Sequence, residues 1–334
     1  MEKIFVDQIK NGDRIESIFL VKEKDSGVTR SGNLYLHLIL MDRTGEIKAR
    51  IWDNAEKITR EFKKNDFVKI KSRASLYQKM LQLTINDIKY IPPDEVFIDD
   101  FLPKTKSNIE KLFNELKEFV KGMNNIHLKK LLELFLQDKE CMRLFKMAPA
   151  AKALHHACIG GLLEHTLNLL KLVIEVSKIY PRLDIDLLIS GAVLHDIGKI
   201  KELSFQNAFD YTDEGRLVGH ITIGVEMLKE KIREIPDFPF ELELLLEHLI
   251  LSHHGHFEFG SPKRPKTLEA ITLYYLDDLD AKIDGIAHIM DVEKGDISPW
   301  TSFNKLYDRY FFKGKQIDID ELNLKMQKNE AGWE

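Results

Sequence analysis

Apolar and polar positions change rhythm along this 334-residue chain. In Leu34-Tyr35-Leu36-His37-Leu38-Ile39-Leu40, and again in Glu46-Ile47-Lys48-Ala49-Arg50-Ile51-Trp52, apolar residues recur at every second position. That is the period of a half-buried strand. Asp42-Arg43-Thr44-Gly45 between them supplies a tight hairpin turn. Further strands fit residues 14–23, 67–76 and 81–91, with a short helix near 56–63. Pro92-Pro93 ends this rhythm, and residues 92–108 have no clear period. From there the spacing becomes three and four: Ile109, Leu112, Phe113, Leu116, Phe119 and Val120, then Leu128, Leu131, Leu132, Phe135 and Leu136. Helical patterning continues to about residue 290, broken at Pro149, Pro181, Gly198, 236–239 and 260–265. The pattern predicts a multidomain chain. Residues 1–91 form a small all-β barrel, 92–108 a linker, 109–312 an all-α helical bundle and 313–334 a polar C-terminal tail.

Composition narrows the class. No apolar run approaches the about 18 residues a membrane span needs, and charges occupy the opening residues where a signal peptide would be apolar. Cys141 and Cys158 are the only cysteines, too few for a disulfide scaffold or a Cys-rich zinc module. The expectation is a soluble, reduced, cytoplasmic protein. Its net charge of −5 hides a division, because residues 1–91 hold 18 Lys/Arg against 13 Asp/Glu while the remainder is acidic. Lys57, Arg60, Lys63, Lys64, Lys69, Lys71, Arg73 and Lys79 face only Glu61 and Asp66 over their stretch. Such a segment is either a solvated face or a meeting place for a polyanion.

Five strands with a helix before the fourth is the order of an OB fold, and residues 1–91 resemble that family's nucleic-acid-binding form. OB barrels bind oligonucleotides across strands two and three. With Leu36, Leu38, Leu40, Ile47, Ala49 and Ile51 inward, the opposite face presents Tyr35, His37, Lys48, Arg50 and Trp52. Rings for base faces and cations for phosphates are what a single strand calls for. The other reading has Tyr35 and Trp52 covering a barrel end or a contact between domains.

Nine of the 12 histidines lie between His155 and His256. His195-Asp196 follows the apolar run Leu187-Leu188-Ile189-Ser190-Gly191-Ala192-Val193-Leu194. A buried His-Asp pair is costly unless something charged satisfies both, and a divalent ion would do so. Here the chain resembles the HD superfamily of metal-dependent phosphohydrolases, whose ligands run His, His-Asp, then a distant Asp. The resemblance puts His165, His195 and Asp196 in the first three places and Asp277 in the last, with Asp280 as its competitor on the same helix face. His220 and the pair His253 and His254 fall where two-metal members place extra ligands, so one or two ions are implied, with Asp196 as the bridge. Lys199, one turn from His195, is a candidate for catalysis and for the substrate phosphate, or else a cation completing a helix end. Arg216 and His156 are weaker candidates for the phosphate. A Glu four residues before the first His serves a third ion in some members; this chain has Gly161 there.

An OB barrel followed by an HD domain resembles the YhaM-type 3′-to-5′ exoribonuclease family. So do longer stretches: Ala148-Pro149-Ala150-Ala151-Lys152 leading to Leu154-His155-His156, Gly160-Gly161-Leu162-Leu163-Glu164-His165-Thr166, Tyr211-Thr212-Asp213-Glu214-Gly215-Arg216, Leu251-Ser252-His253-His254-Gly255 and Gly260-Ser261-Pro262-Lys263. The resemblance covers about residues 1–310. It implies a manganese- or cobalt-type ion, with iron, nickel and zinc also suited to the ligands, and removal of nucleotides from the 3′ end of single-stranded RNA, with single-stranded DNA as a second substrate. A homo-oligomer is compatible with the chain. The competing expectation is an HD phosphohydrolase of small nucleotides whose barrel serves oligomerisation.

Overall fold

The computed structural model describes residues 3–29, 32–78, 80–152, 155–205, 207–293 and 298–314. Lys79, Leu154 and all but the first two residues of the expected C-terminal tail fall outside them.

The first domain is a closed barrel of β1 (Arg14–Val28), β2 (Leu34–Asp42), β3 (Gly45–Ile51), β4 (Phe67–Tyr77) and β5 (Met80–Ile91), ordered β1-β2-β3-β5-β4, with β1 also pairing β4. All neighbours are antiparallel except β3 with β5. This is the OB arrangement read from the sequence. One turn of helix, α1 (Ala55–Ile58), precedes β4 and is shorter than the pattern suggested, whereas β1 runs five residues further, past a bulge between Val21 and Glu23. A bulge adds a residue and bends the strand, which breaks the alternation that would have revealed the extension. Leu36, Leu38, Leu40, Ile47, Ala49 and Ile51 all face the barrel core.

The helical domain follows as α2 (Ile109–Lys121), α3 (Ile126–Gln137), α4 (Lys139–Met147), α5 (Gly161–Ile179), α6 (Ile185–Leu194), α7 (Lys199–Glu202), a small hairpin of β6 (Leu203–Ser204) and β7 (Asp210–Tyr211), α8 (Asp213–Leu217), α9 (His220–Arg233), α10 (Phe240–Ser252) and α11 (Leu268–Val292). The hairpin interrupts a stretch whose pattern read as helical, since two-residue strands are too short to show a period. α6 is buried from Asp186 to Leu194, as a mostly apolar helix inside a bundle must be, and it packs against α3, α5, α10 and α11.

Residues 92–108, expected as a linker, pack as a joint. Phe101 and Leu102 are buried, and the Phe101 ring lies 4.7 Å from that of Phe67 on β4. Leu20, Phe67 and Ile91 of the barrel thereby join the hydrophobic cluster of the helical domain. No helix among the described residues is long and apolar enough to cross a membrane.

Candidate active site

Three elements deliver four side chains to one buried point. His195 and Asp196 follow the last residue of α6, His165 lies in the second turn of α5, and Asp277 sits midway along α11. His165 Nε2 is 3.3 Å from His195 Nε2 and 3.1 Å from Asp277 Oδ1. Asp196 Oδ2 lies 3.3 Å from His195 Nε2 and 3.9 Å from His165 Nε2. The other oxygen of the same carboxylate faces a second group: Asp196 Oδ1 is 3.5 Å from His220 Nε2 and 3.6 Å from His253 Nε2. His254 joins His220 and His253, with ligand atoms mutually within 4.8 Å.

The remaining ring nitrogens are fixed from behind. His195 Nδ1 donates to the Ala192 carbonyl at 3.0 Å, His253 Nδ1 to Ile250 at 2.7 Å and His254 Nδ1 to Phe259 at 2.8 Å. A carbonyl oxygen can only accept, so Nδ1 carries the proton and Nε2 keeps its lone pair. Carboxylates do the same elsewhere. Glu202 Oε1 accepts from His220 Nδ1 at 2.9 Å and from its backbone N–H at 3.0 Å, and Asp280 Oδ2 accepts from His165 Nδ1 at 2.7 Å. Such backing sets the tautomer and direction of metal-binding histidines.

Three buried polar atoms here have no hydrogen-bond partner: Asp196 Oδ1, His220 Nε2 and His253 Nε2. They face one another. Buried polar atoms are normally paired, and two lone-pair nitrogens beside a carboxylate oxygen are a donor set for a cation. These residues therefore fit the divalent ions of the HD superfamily.

Two competing carboxylates separate by the nitrogen each meets. Asp277 is on the Nε2 side of His165, facing the cluster, whereas Asp280 is behind it, bonded also to His156 Nε2 at 3.0 Å and to Asn168 Nδ2 at 3.0 Å. Burial opposes the charge of Asp280, but hydrogen bonds from His156 and His165 outweigh it and hold the carboxyl well below its usual range. Burial likewise disfavours charge on His156, yet Asp280 and Glu164 outweigh it and lift its pKa to about 9. With its ring engaged there, His156 supports the site from behind instead of facing the pocket.

Lys199 Nζ is 2.6 Å from Asp196 Oδ2. Burial of Lys199 is outweighed by Asp196, which raises its pKa, so the ammonium stays charged. A pocket of about 340 Å³ opens over the cluster, lined by Lys199, Glu202, His220, His253, His254 and Asp277 and, around these, by Lys152, His155, Tyr211, Phe259 and Tyr274. The second five escaped the sequence reading, although all but Phe259 and Tyr274 lie in stretches quoted for the family resemblance. Burial and nearby Lys199 push His155 down to about 4. Arg216 stays outside the lining, exposed and paired with Asp210 at 3.1 Å.

On the barrel, Tyr35 and Trp52 stack with centroids 5.0 Å apart. The Tyr35 ring lies over Gly27 of β1, where any Cβ would come within 2.6 Å of it. The Arg50 guanidinium stands 5.4 Å from the Trp52 ring and 5.5 Å from that of Tyr77. Lys48 is exposed on the same strand, and His37 pairs across from Arg50. Trp52, 41% exposed, still offers a ring face to solvent.

Comparison with known proteins agrees with both halves. Residues 162–282 match the HD domain family and residues 19–91 the OB-fold nucleic acid binding domain. The 3′-5′ exoribonuclease YhaM of Bacillus subtilis is 35% identical over 274 residues, covering 82% of this chain and 86% of that protein. Among solved structures, the second OB-fold domain of replication protein A from Methanococcus maripaludis is 18% identical over 27% of this chain and 95% of its own, with a TM-score of 0.23. Rim1, a mitochondrial single-stranded DNA binding protein of S. cerevisiae, is 16% identical over 25% and 97%, with a TM-score of 0.21. At such scores they add nothing to the barrel's own strand order. The identity to the Bacillus protein runs through both domains, and the chain belongs to the YhaM family of 3′-5′ exoribonucleases.

Proposed function

We propose that this chain is a cytoplasmic, metal-dependent 3′-to-5′ exoribonuclease that holds single-stranded RNA on its barrel and hydrolyses the terminal phosphodiester in its helical domain. Single-stranded DNA, with the same phosphates and base faces, is a second substrate. His165, His195, Asp196 and Asp277 would hold one ion, and Asp196, His220, His253 and His254 a second. Imidazole with carboxylate admits manganese, iron, cobalt, nickel or zinc; manganese is the ion proposed.

The carrying observation is the position of Asp196, whose two oxygens face two separate donor groups with Oδ1 otherwise unpartnered. Paired ions, when bound, supply an activated water and neutralise charge at the phosphate. The chain's own groups do the rest. Lys199 keeps Asp196 ionised and sets a fixed positive charge at the pocket floor. Asp280 and Glu202 hold His165 and His220 in the tautomer that faces the cluster. Tyr35, Trp52, Arg50 and Lys48 give the barrel the rings and cations that grip a strand without reading its sequence. A barrel serving only oligomerisation would not need that combination.

The test is a time course with 5′-labelled single-stranded RNA and manganese. Products should shorten one nucleotide at a time from the 3′ end, and changing His195 and Asp196 together to Ala should abolish hydrolysis while RNA binding persists. Internal cuts, or unaltered turnover in the double variant, would refute the proposal.

A further inference from the structure

The pocket's floor is accounted for by the donor cluster, but its rim is not. Tyr211, 43% exposed, ends the β6–β7 hairpin, and Phe259, 65% exposed, sits in the loop after α10. Both line the pocket. What sets these two exposed rings apart from others on the surface is that they border the pocket above the donor cluster.

Tyr211 has a cation close by, and a second cation stands over a ring that neighbours Phe259 in sequence. Lys152 Nζ lies 5.6 Å from the Tyr211 centroid, held there by an ion pair with Asp210 at 2.6 Å. On the other loop Arg264 stands 5.0 Å from the ring of Phe257, 55% exposed and two residues from Phe259. Rings interleaved with cations are how proteins take single strands, the rings receiving base faces and the cations phosphates. A pocket of about 340 Å³ is at the lower end of the range for small-ligand sites, which suits an unpaired end and not a folded or paired one.

We infer that Tyr211 and Phe259 are base-stacking residues that hold the 3′-terminal nucleotides over the donor cluster, with Lys152 on the phosphate between them. The inference rests on the exoribonuclease reading and assigns the two rim rings to the bases of the strand's 3′ end. It separates two binding functions: the barrel holds the body of the strand, and this rim seats its end.

The test uses the full-length, manganese-loaded protein and its Tyr211→Ala, Tyr211→Phe and Phe259→Ala variants on two RNAs, one ordinary and one whose last two 3′ nucleotides are abasic. Each Ala variant should raise KM on ordinary RNA by roughly 5- to 100-fold, and Tyr211→Phe, which keeps the ring, should restore it. On the abasic RNA wild type should already have lost this factor, so the Ala variants add little. Manganese affinity by calorimetry should match wild type throughout. An unchanged KM, an equal loss on both RNAs, or lost manganese binding would overturn the stacking assignment while leaving the nuclease reading intact. Wild type inert on single-stranded RNA would overturn both.

Discussion

Asp277 and Asp280 stand one helical turn apart on α11, and the difference in their tasks comes from the two faces of one imidazole. Asp277 meets Nε2 of His165, which points into the cluster, and Asp280 meets Nδ1, which points away. Removing Asp280 should leave all donors in place but free the His165 ring to turn. Asp280→Ala is therefore expected to cost about 10- to 100-fold in manganese affinity or turnover, measured by calorimetry and single-turnover kinetics. Wild-type affinity in that variant would mean that packing alone orients His165. The sequence brought both carboxylates into view, because an i, i+3 pair shares a helix face. It could not separate them, because which nitrogen each meets depends on how α5 packs on α11.

At the scale of elements, the site depends on close approach between short segments. A Cβ on Gly198, just after the His195-Asp196 pair, would fall 2.0 Å from the carbonyl oxygen of His220 and 2.8 Å from the Gly224 N–H nitrogen. Only a residue without a side chain lets the turn before α7 lie against the start of α9, and that contact brings His220 to Asp196. Gly198→Ala should force the two apart, lowering stability by about 1–3 kcal/mol as overpacking does and weakening the ion beside His220 more than the one beside His165. Thermal unfolding and manganese stoichiometry together check this; an unshifted melting temperature with full stoichiometry would contradict it. Elements with a sustained period were legible: the barrel's alternation and the long amphipathic helices follow directly from spacing. The β6–β7 hairpin was not, since four residues in two strands carry no period. Nor was the pocket rim, since Lys152, Tyr211, Phe259 and Tyr274 come from segments up to about 120 residues apart that only the assembled fold brings together.

The whole molecule pairs a basic barrel with an acidic helical domain, and the packed joint at Phe101 ties the two together. Division of labour follows. Trp52→Ala should weaken oligonucleotide binding by about 1–3 kcal/mol, the worth of one stacked base, with turnover at saturating RNA unchanged, and wild-type affinity should fall steeply with salt. Equal affinity in the variant would put Trp52 in barrel packing. The claim that everything else depends on is that Asp196 joins two cation positions. Crystals grown with manganese and measured near its absorption edge test it most directly. Two anomalous peaks are expected, one among His165, His195, Asp196 and Asp277, the other among Asp196, His220, His253 and His254; a map with no peak touching Asp196 would contradict the account.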